Sequence, residues 1–213
     1  MPLSSLTRWL PISGLLAAVA LALTGLISPP PPVAGAPASD IVTYYSRHRV
    51  GLEIESIADG VGIVLLVVFA GSLHARIRTG LSMAAYLAAA IVAASTLIQV
   101  AAFHALAFRP DPEPLRAALL NDLQSFTFQV TTFPILLFLG AAGAAILASG
   151  DLSRWLGIAA LIAALLQAVS WVSFFAPPGN LAAGALPDIA AFGSMLAWLV
   201  ACSLKLTSGW RWK

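Results

Sequence analysis

Six stretches of mostly apolar residues constrain this chain more than anything else in it. They occupy about 9–28, 54–73, 82–107, 125–148, 155–176 and 187–205. Each approaches or exceeds the roughly 20 apolar residues that an α-helix needs to cross the hydrocarbon of a bilayer. Inside lipid every backbone N–H and C=O must be satisfied within the segment or its barrel, and continuous rather than alternating apolar runs select the helix. The fold class expected is all-α: a polytopic transmembrane helical bundle of six spans, with residues 1–213 forming a single transmembrane domain. With 60% hydrophobic residues and a mean hydropathy of +0.92, the chain carries more apolar surface than a soluble domain of this size can bury.

The connections are short or rich in Pro and Gly: "SPPPPVAGAPASD", "HARIRTG", "FRPDPEPLRAALLND", "ASGDLSR" and "APPGNLAAGALPD". Proline cannot donate to the helix ladder, so such segments end helices. The first window also has the layout of a signal peptide, with Arg8, an apolar stretch and then small residues. Its apolar part runs about 19 residues, against the usual 7–15, which reads as a retained span.

Six spans place both termini on one side. With that side cytoplasmic, Arg8, Arg76, Arg78, Arg154, Lys205, Arg211 and Lys213 lie inside, and Arg47, Arg49, Arg109 and Arg116 lie outside. This satisfies the positive-inside rule and sets Trp9, Trp155, Trp210 and Trp212 at the cytoplasmic interface. The expected location is a bacterial cytoplasmic (inner) membrane with N- and C-termini cytoplasmic. Among the acids only Asp151 falls inside, so the polar chemistry is expected to face outward.

A net charge of +2, spread over 11 basic and 9 acidic residues, argues against nucleic acid as a partner. The single cysteine, Cys202, cannot form an intramolecular disulfide, and no Cys pair is present to hold zinc or heme. There is no His-x-x-x-His, no G-x-S-x-G, and His74 and His104 belong to opposite membrane faces. No cofactor, metal ligand or catalytic residue is therefore assigned. The expected partners are membrane lipids and, if the chain is a subunit, other membrane proteins.

Polar residues within spans are expensive to bury and mark candidate sites. Glu55 and Asp59 are four apart and share a helix face. Asp122, Ser125, Gln129 and Thr132 follow one face of the fourth span, with Pro134 next. Gln167, Ser170, Trp171 and Phe174 make a stripe on the fifth, and His104 lies near the end of the third. With the topology above, these groups line the outer half of the bundle, as a funnel open to the outside would require. The candidate ligand-binding set is Tyr44, Tyr45, Glu55, Asp59, His104, Asp122, Gln129, Gln167 and Trp171. Each also has a structural reading. The carboxylates suit first turns of helices, the glutamines suit interhelical hydrogen bonds, and Gly60, Gly62, Gly140 and Gly143 suit close helix contacts.

The densest polar stretch, "IVTYYSRHRVGLEIESIADG" (41–60), follows the proline run. Ile41, Tyr44, Tyr45 and His48 have i, i+3, i+4, i+7 spacing, the pattern of an amphipathic face. The expectation is a short amphipathic outer helix between spans one and two, a turn at Gly51, and pairing of Arg47 or Arg49 with Glu53 or Glu55.

The segments "DIVTYYSRHR", "LSRWLGIAALIAALL" and "LPDIAAFGSMLAWLVACSLKL" together resemble a group of bacterial six-to-seven-span membrane proteins classed as a domain of unknown function. The resemblance implies a helical bundle and a cytoplasmic interface at Arg154-Trp155-Leu156, and it carries over no catalytic residue.

Three functions compete on this reading. One is non-enzymatic binding, with or without transport, of a lipid or small apolar molecule in a cavity open to the outer face. The second is a structural or regulatory subunit of a larger membrane complex. The third is a metal-dependent intramembrane lipid hydrolase, which requires Glu55, Asp59, His104 and Asp122 to converge.

Overall fold

The computed structural model describes residues 10–108, 113–173, 175 and 186–208. Arg8, Trp9, Arg109, Phe174, Trp210, Arg211, Trp212 and Lys213, used above for orientation and for the stripe on the fifth span, lie outside the described residues. The described residues form six helices and no strand. These are α1 (Ile12–Thr24), α2 (Ala38–Ile77), α3 (Gly80–Phe108), α4 (Pro114–Ser149), α5 (Arg154–Ser173) and α6 (Leu186–Ser208).

The helical membrane bundle expected from the apolar windows is what forms, with a different span count. Five of the helices are long and apolar enough to cross a membrane. The sixth, α1, is described for only 13 residues, about 20 Å at 1.5 Å per residue and short of a roughly 30 Å hydrocarbon core. It is closed by Gly25 and then by four consecutive prolines, none of which can extend a helix.

A second departure concerns residues 38–53. No separate outer helix and no turn at Gly51 exist; α2 runs unbroken for 40 residues, about 60 Å and twice a hydrocarbon core. Glycine inside a helix costs only about 1 kcal/mol relative to alanine, which packing on both sides of it offsets. Of the stripe read at helical spacing, Ile41 and Tyr45 are fully or almost fully buried, as is Leu52 beyond it, whereas Tyr44 and His48 are half-buried, so its Ile41–Tyr45 edge faces inward. It packs with Leu106 and Phe103 at the end of α3 and Ala117 at the start of α4, forming a small core separate from the main one. Arg49 pairs with Glu53 at 3.1 Å on the exposed side, a contact worth about 0.3–0.5 kcal/mol.

The helices follow one another around the bundle, α6 returns to α1, and α2 touches α4 across the middle. Trp198 of α6 fills that centre. Its ring meets Phe69 of α2 and Phe138 of α4 edge-on at 6.0 and 5.7 Å, and its Nε1–H donates to the Leu156 carbonyl of α5 at 3.0 Å. Two of the four glycines expected at helix contacts are there: a Cβ on Gly62 would meet Leu21 at 2.9 Å, and one on Gly143 would meet the Gly157 carbonyl at 2.8 Å. Gly60 and Gly140 face open space. Exposed Val64, Leu87, Ile91, Ile162 and Leu165 give the bundle an apolar outer belt, the arrangement lipid requires and water penalises.

Within α4, Pro134 removes the donor that the Val130 carbonyl would otherwise use. Thr131 and Thr132 beside it donate to the Thr127 and Gln129 carbonyls at 2.7 and 2.5 Å, a use of hydroxyls common around kinks in spans.

Candidate functional site

The 13-residue connector between α1 and α2 shapes the site. Residues 29–32 are all proline and offer carbonyl acceptors without N–H donors. The chain cannot satisfy them by secondary structure; side chains from the helices meet those of Pro29 and Pro32. Tyr44 of α2 donates its hydroxyl to the Pro29 carbonyl at 2.5 Å. Asn121 of α4 donates from Nδ2 to the Pro32 and Val33 carbonyls at 3.2 and 3.3 Å. Two N–H groups of the connector are met by carboxylates: Ser28 N–H donates to Glu55 at 2.7 Å, and Gly35 N–H donates to Asp122 at 2.9 Å. Gly35 has φ +78, in the left-handed region open to glycine, which turns this N–H toward α4.

These bonds lash the connector across the end of the bundle. Gly51 lets it lie directly on α2, since a Cβ there would come within 2.7 Å of Ser28 Oγ and 3.3 Å of Ile27 Cγ2. Glycine at this position is thus a seat for the connector, not a turn. Tyr45 completes the latch from below: its hydroxyl is 3.5 Å from Asn121 Oδ1, and its ring stands edge-on to Phe103 of α3 at 5.3 Å. Tyr44 packs between Tyr45 and His48, at centroid distances of 5.2 and 5.0 Å.

The remaining candidates spread over separate elements. Asp59 lies one turn further into α2 than Glu55 and is half-buried. Gln167 of α5 donates to the Ala191 carbonyl of α6 at 3.1 Å, and Ser170 donates to Asp188, so both join α5 to α6. Trp171 packs against Phe133 of α4 at 4.9 Å and Phe175 at 5.2 Å. Gln129 is buried in α4, and its Oε1 has no hydrogen-bond partner among the described residues.

Beneath the latch a groove of about 300 Å³ opens sideways between α2 and α3. Ser56, Ile57, Leu97, Val100, Ala101 and His104 line it. His104 is its only titratable side chain and is exposed. The wall is apolar apart from His104 and Ser56, and Ser56 already donates to the Leu52 carbonyl of its own helix at 2.8 Å.

Of the nine residues singled out by sequence, Tyr44, Tyr45, Glu55 and Asp122 come together around the connector. His104 lies in the groove, and Gln167 and Trp171 serve another side of the bundle. Asn121 was missed, because next to Asp122 it reads as part of a helix start. The signal that could have found it is the proline run itself, whose carbonyls demand an outside donor. Among the described residues, no group of three or more His, Cys, Asp and Glu side chains could hold a metal ion. Glu55 and Asp122 each accept a different backbone N–H group of the connector.

The geometry is that of a multi-pass membrane bundle with a latched end and a lateral groove. No family model, no curated protein and no solved structure matches the chain. The resemblance to six-to-seven-span proteins rests on its three motifs alone.

Proposed function

We propose that this is a non-enzymatic membrane protein that binds a lipid or small apolar molecule from the outer side, through the groove between α2 and α3. The observation that carries the reading is the groove itself: a mostly apolar cleft of about 300 Å³ with His104 and Ser56 set among Ile57, Leu97, Val100 and Ala101. A cleft with a few polar groups in an apolar lining suits an amphiphile, with its chain along the wall and its polar end at the histidine. Because the connector is latched over the end of the bundle, entry is sideways from the bilayer.

Charge supports the orientation. At the end bearing the connector, the described cations are Arg47, Arg49 and Arg116, beside seven acids. At the other end Arg76, Arg78, Arg154 and Lys205 face Asp151 alone. With the basic end cytoplasmic, as the positive-inside rule favours, the end of α6 is cytoplasmic, the first turn of α1 points toward that same side beside Phe69 and Ser203, and the groove belongs to the outer half of a bacterial inner membrane.

Labelling of native membranes with a photoactivatable phospholipid tests this, with adducts mapped by peptide mass spectrometry. The expected result is enrichment on Ile57, Leu97 and Ala101 over Ile162 and Leu165 of α5, which face lipid without a groove, with Ala101→Trp removing the excess. Equal labelling of the two surfaces overturns the reading.

A further inference from the structure

A second cleft, of about 440 Å³, lies at the opposite end of the bundle, where α4 turns into α5. Ile146, Leu147, Gly150, Leu152 and Arg154 line it. We propose that this cleft binds the phosphate headgroup of an anionic phospholipid, with Arg154 as its counter-charge and Leu147 and Leu152 against the first methylenes of an acyl chain.

Four observations converge on that ligand. Arg154 is exposed at the cleft and forms no ion pair among the described residues, so its guanidinium is available for a planar, bidentate oxyanion contact. Arg154 opens α5, whose first turn contains no acidic residue; the positive end of the helix dipole is left without an internal counter-charge. Asp151, the one acid of this turn, does not line the cleft.

The walls are also fixed in advance. Leu147 rests on Gly157, where a Cβ would meet it at 2.7 Å, and the two helix backbones approach closely at Gly143 and Gly157. Gly150 closes α4 in the left-handed conformation at φ +69, its N–H bonded to the Ile146 carbonyl at 3.2 Å. The start of α5 is pinned by the Trp198 bond to Leu156. Finally, exposed Trp155 stands next to Arg154 at the start of α5, and indoles at the ends of spans favour the headgroup level.

The test is native mass spectrometry of the full-length protein released from nanodiscs of mixed phosphatidylglycerol and phosphatidylcholine. Wild type is expected to retain phosphatidylglycerol over phosphatidylcholine. Arg154→Gln should lower that retention about tenfold, the factor for losing a charge-assisted contact, while Arg154→Lys, which keeps the charge but not the planar fork, should retain part of it. The double variant Arg76→Gln/Arg78→Gln, whose arginines share this end of the bundle but not the cleft, should behave as wild type. So should Ala101→Trp in the α2–α3 groove, which separates this site from that one. Unchanged retention in Arg154→Gln overturns the proposal, as does an equal loss in the double variant. Displacement of the lipid by a millimolar excess of inorganic phosphate would identify a simple anion site and overturn the lipid assignment.

Discussion

Glu55, buried in the long helix α2, accepts the backbone N–H of Ser28 at 2.7 Å from a connector 27 residues earlier in the chain. The bond joins the two parts of the sequence that looked least alike, a proline run and a charged stretch, and turns the second into a seat for the first. A carboxylate on a backbone N–H is a charge-assisted type of bond worth about 1.5–3 kcal/mol. Glu55→Ala is therefore expected to destabilise the protein by about 2 kcal/mol in thermal unfolding in detergent. Amide exchange over residues 26–36 should accelerate, while α6 stays protected.

Two glycine positions should differ in their tolerance of alanine. At Gly51 the added methyl meets the tip of a serine side chain that can rotate away, and the helix gains about 1 kcal/mol of propensity. Gly51→Ala should then change stability by less than about 1 kcal/mol, whereas Gly51→Leu should lift the connector and accelerate its exchange. At Gly143 the methyl meets the Gly157 carbonyl at 2.8 Å, a backbone atom that cannot turn aside. Gly143→Ala is expected to cost about 1–3 kcal/mol, the usual penalty of overpacking.

Trp198→Phe separates ring from hydrogen bond at the centre of the bundle. The edge-on contacts with Phe69 and Phe138 have a ring to act on in both proteins, but the bond to Leu156 is lost. A loss of about 1 kcal/mol is expected for the phenylalanine and about 3–5 kcal/mol for Trp198→Ala, read from the midpoint of thermal or denaturant unfolding.

Asn121→Leu keeps the volume of a side chain that is 0% exposed but leaves the Pro32 and Val33 carbonyls without their donor. Unpaired acceptors of this kind cost about 1–3 kcal/mol each when buried. Because both bonds are only part-buried, the variant is expected to lose about 1–3 kcal/mol in total, and exchange should rise at Gly35, whose N–H bond to Asp122 depends on the same stretch of connector.

What could be read from the sequence followed periodicity. The apolar windows match α3, α5 and α6 to within a few residues at both ends but only the C-terminal ends of α2 and α4, whose starts at Ala38 and Pro114 lie well before the windows at 54 and 125; Ile41 and Tyr45 are recognisable as part of an amphipathic face. What could not be read depended on backbone. Gly51 looked like a turn because glycine breaks helices in isolation; nothing local shows that a connector lies on it. Glu55 and Asp122 read as members of one candidate set with Asp59 and His104 because their partners, the N–H groups of Ser28 and Gly35, belong to a backbone that carries no side-chain signature. The length of α1 was overread because the apolar composition continues through Leu26 and Ile27, past the point where Gly25 ends the helix.

The latch itself can be measured in one experiment. A Cβ on Gly51 would lie 3.9 Å from the Cβ of Ser28, close to the mean of about 3.8 Å found across disulfides. In a Cys202→Ser background, Ser28→Cys/Gly51→Cys should cross-link almost completely when native membranes are oxidised, scored by loss of thiol alkylation. The control Ser28→Cys/Val50→Cys, whose second position points outward at 70% exposure, should stay reduced. A Ser28–Gly51 pair that cross-links no better than this control would contradict a connector latched onto α2.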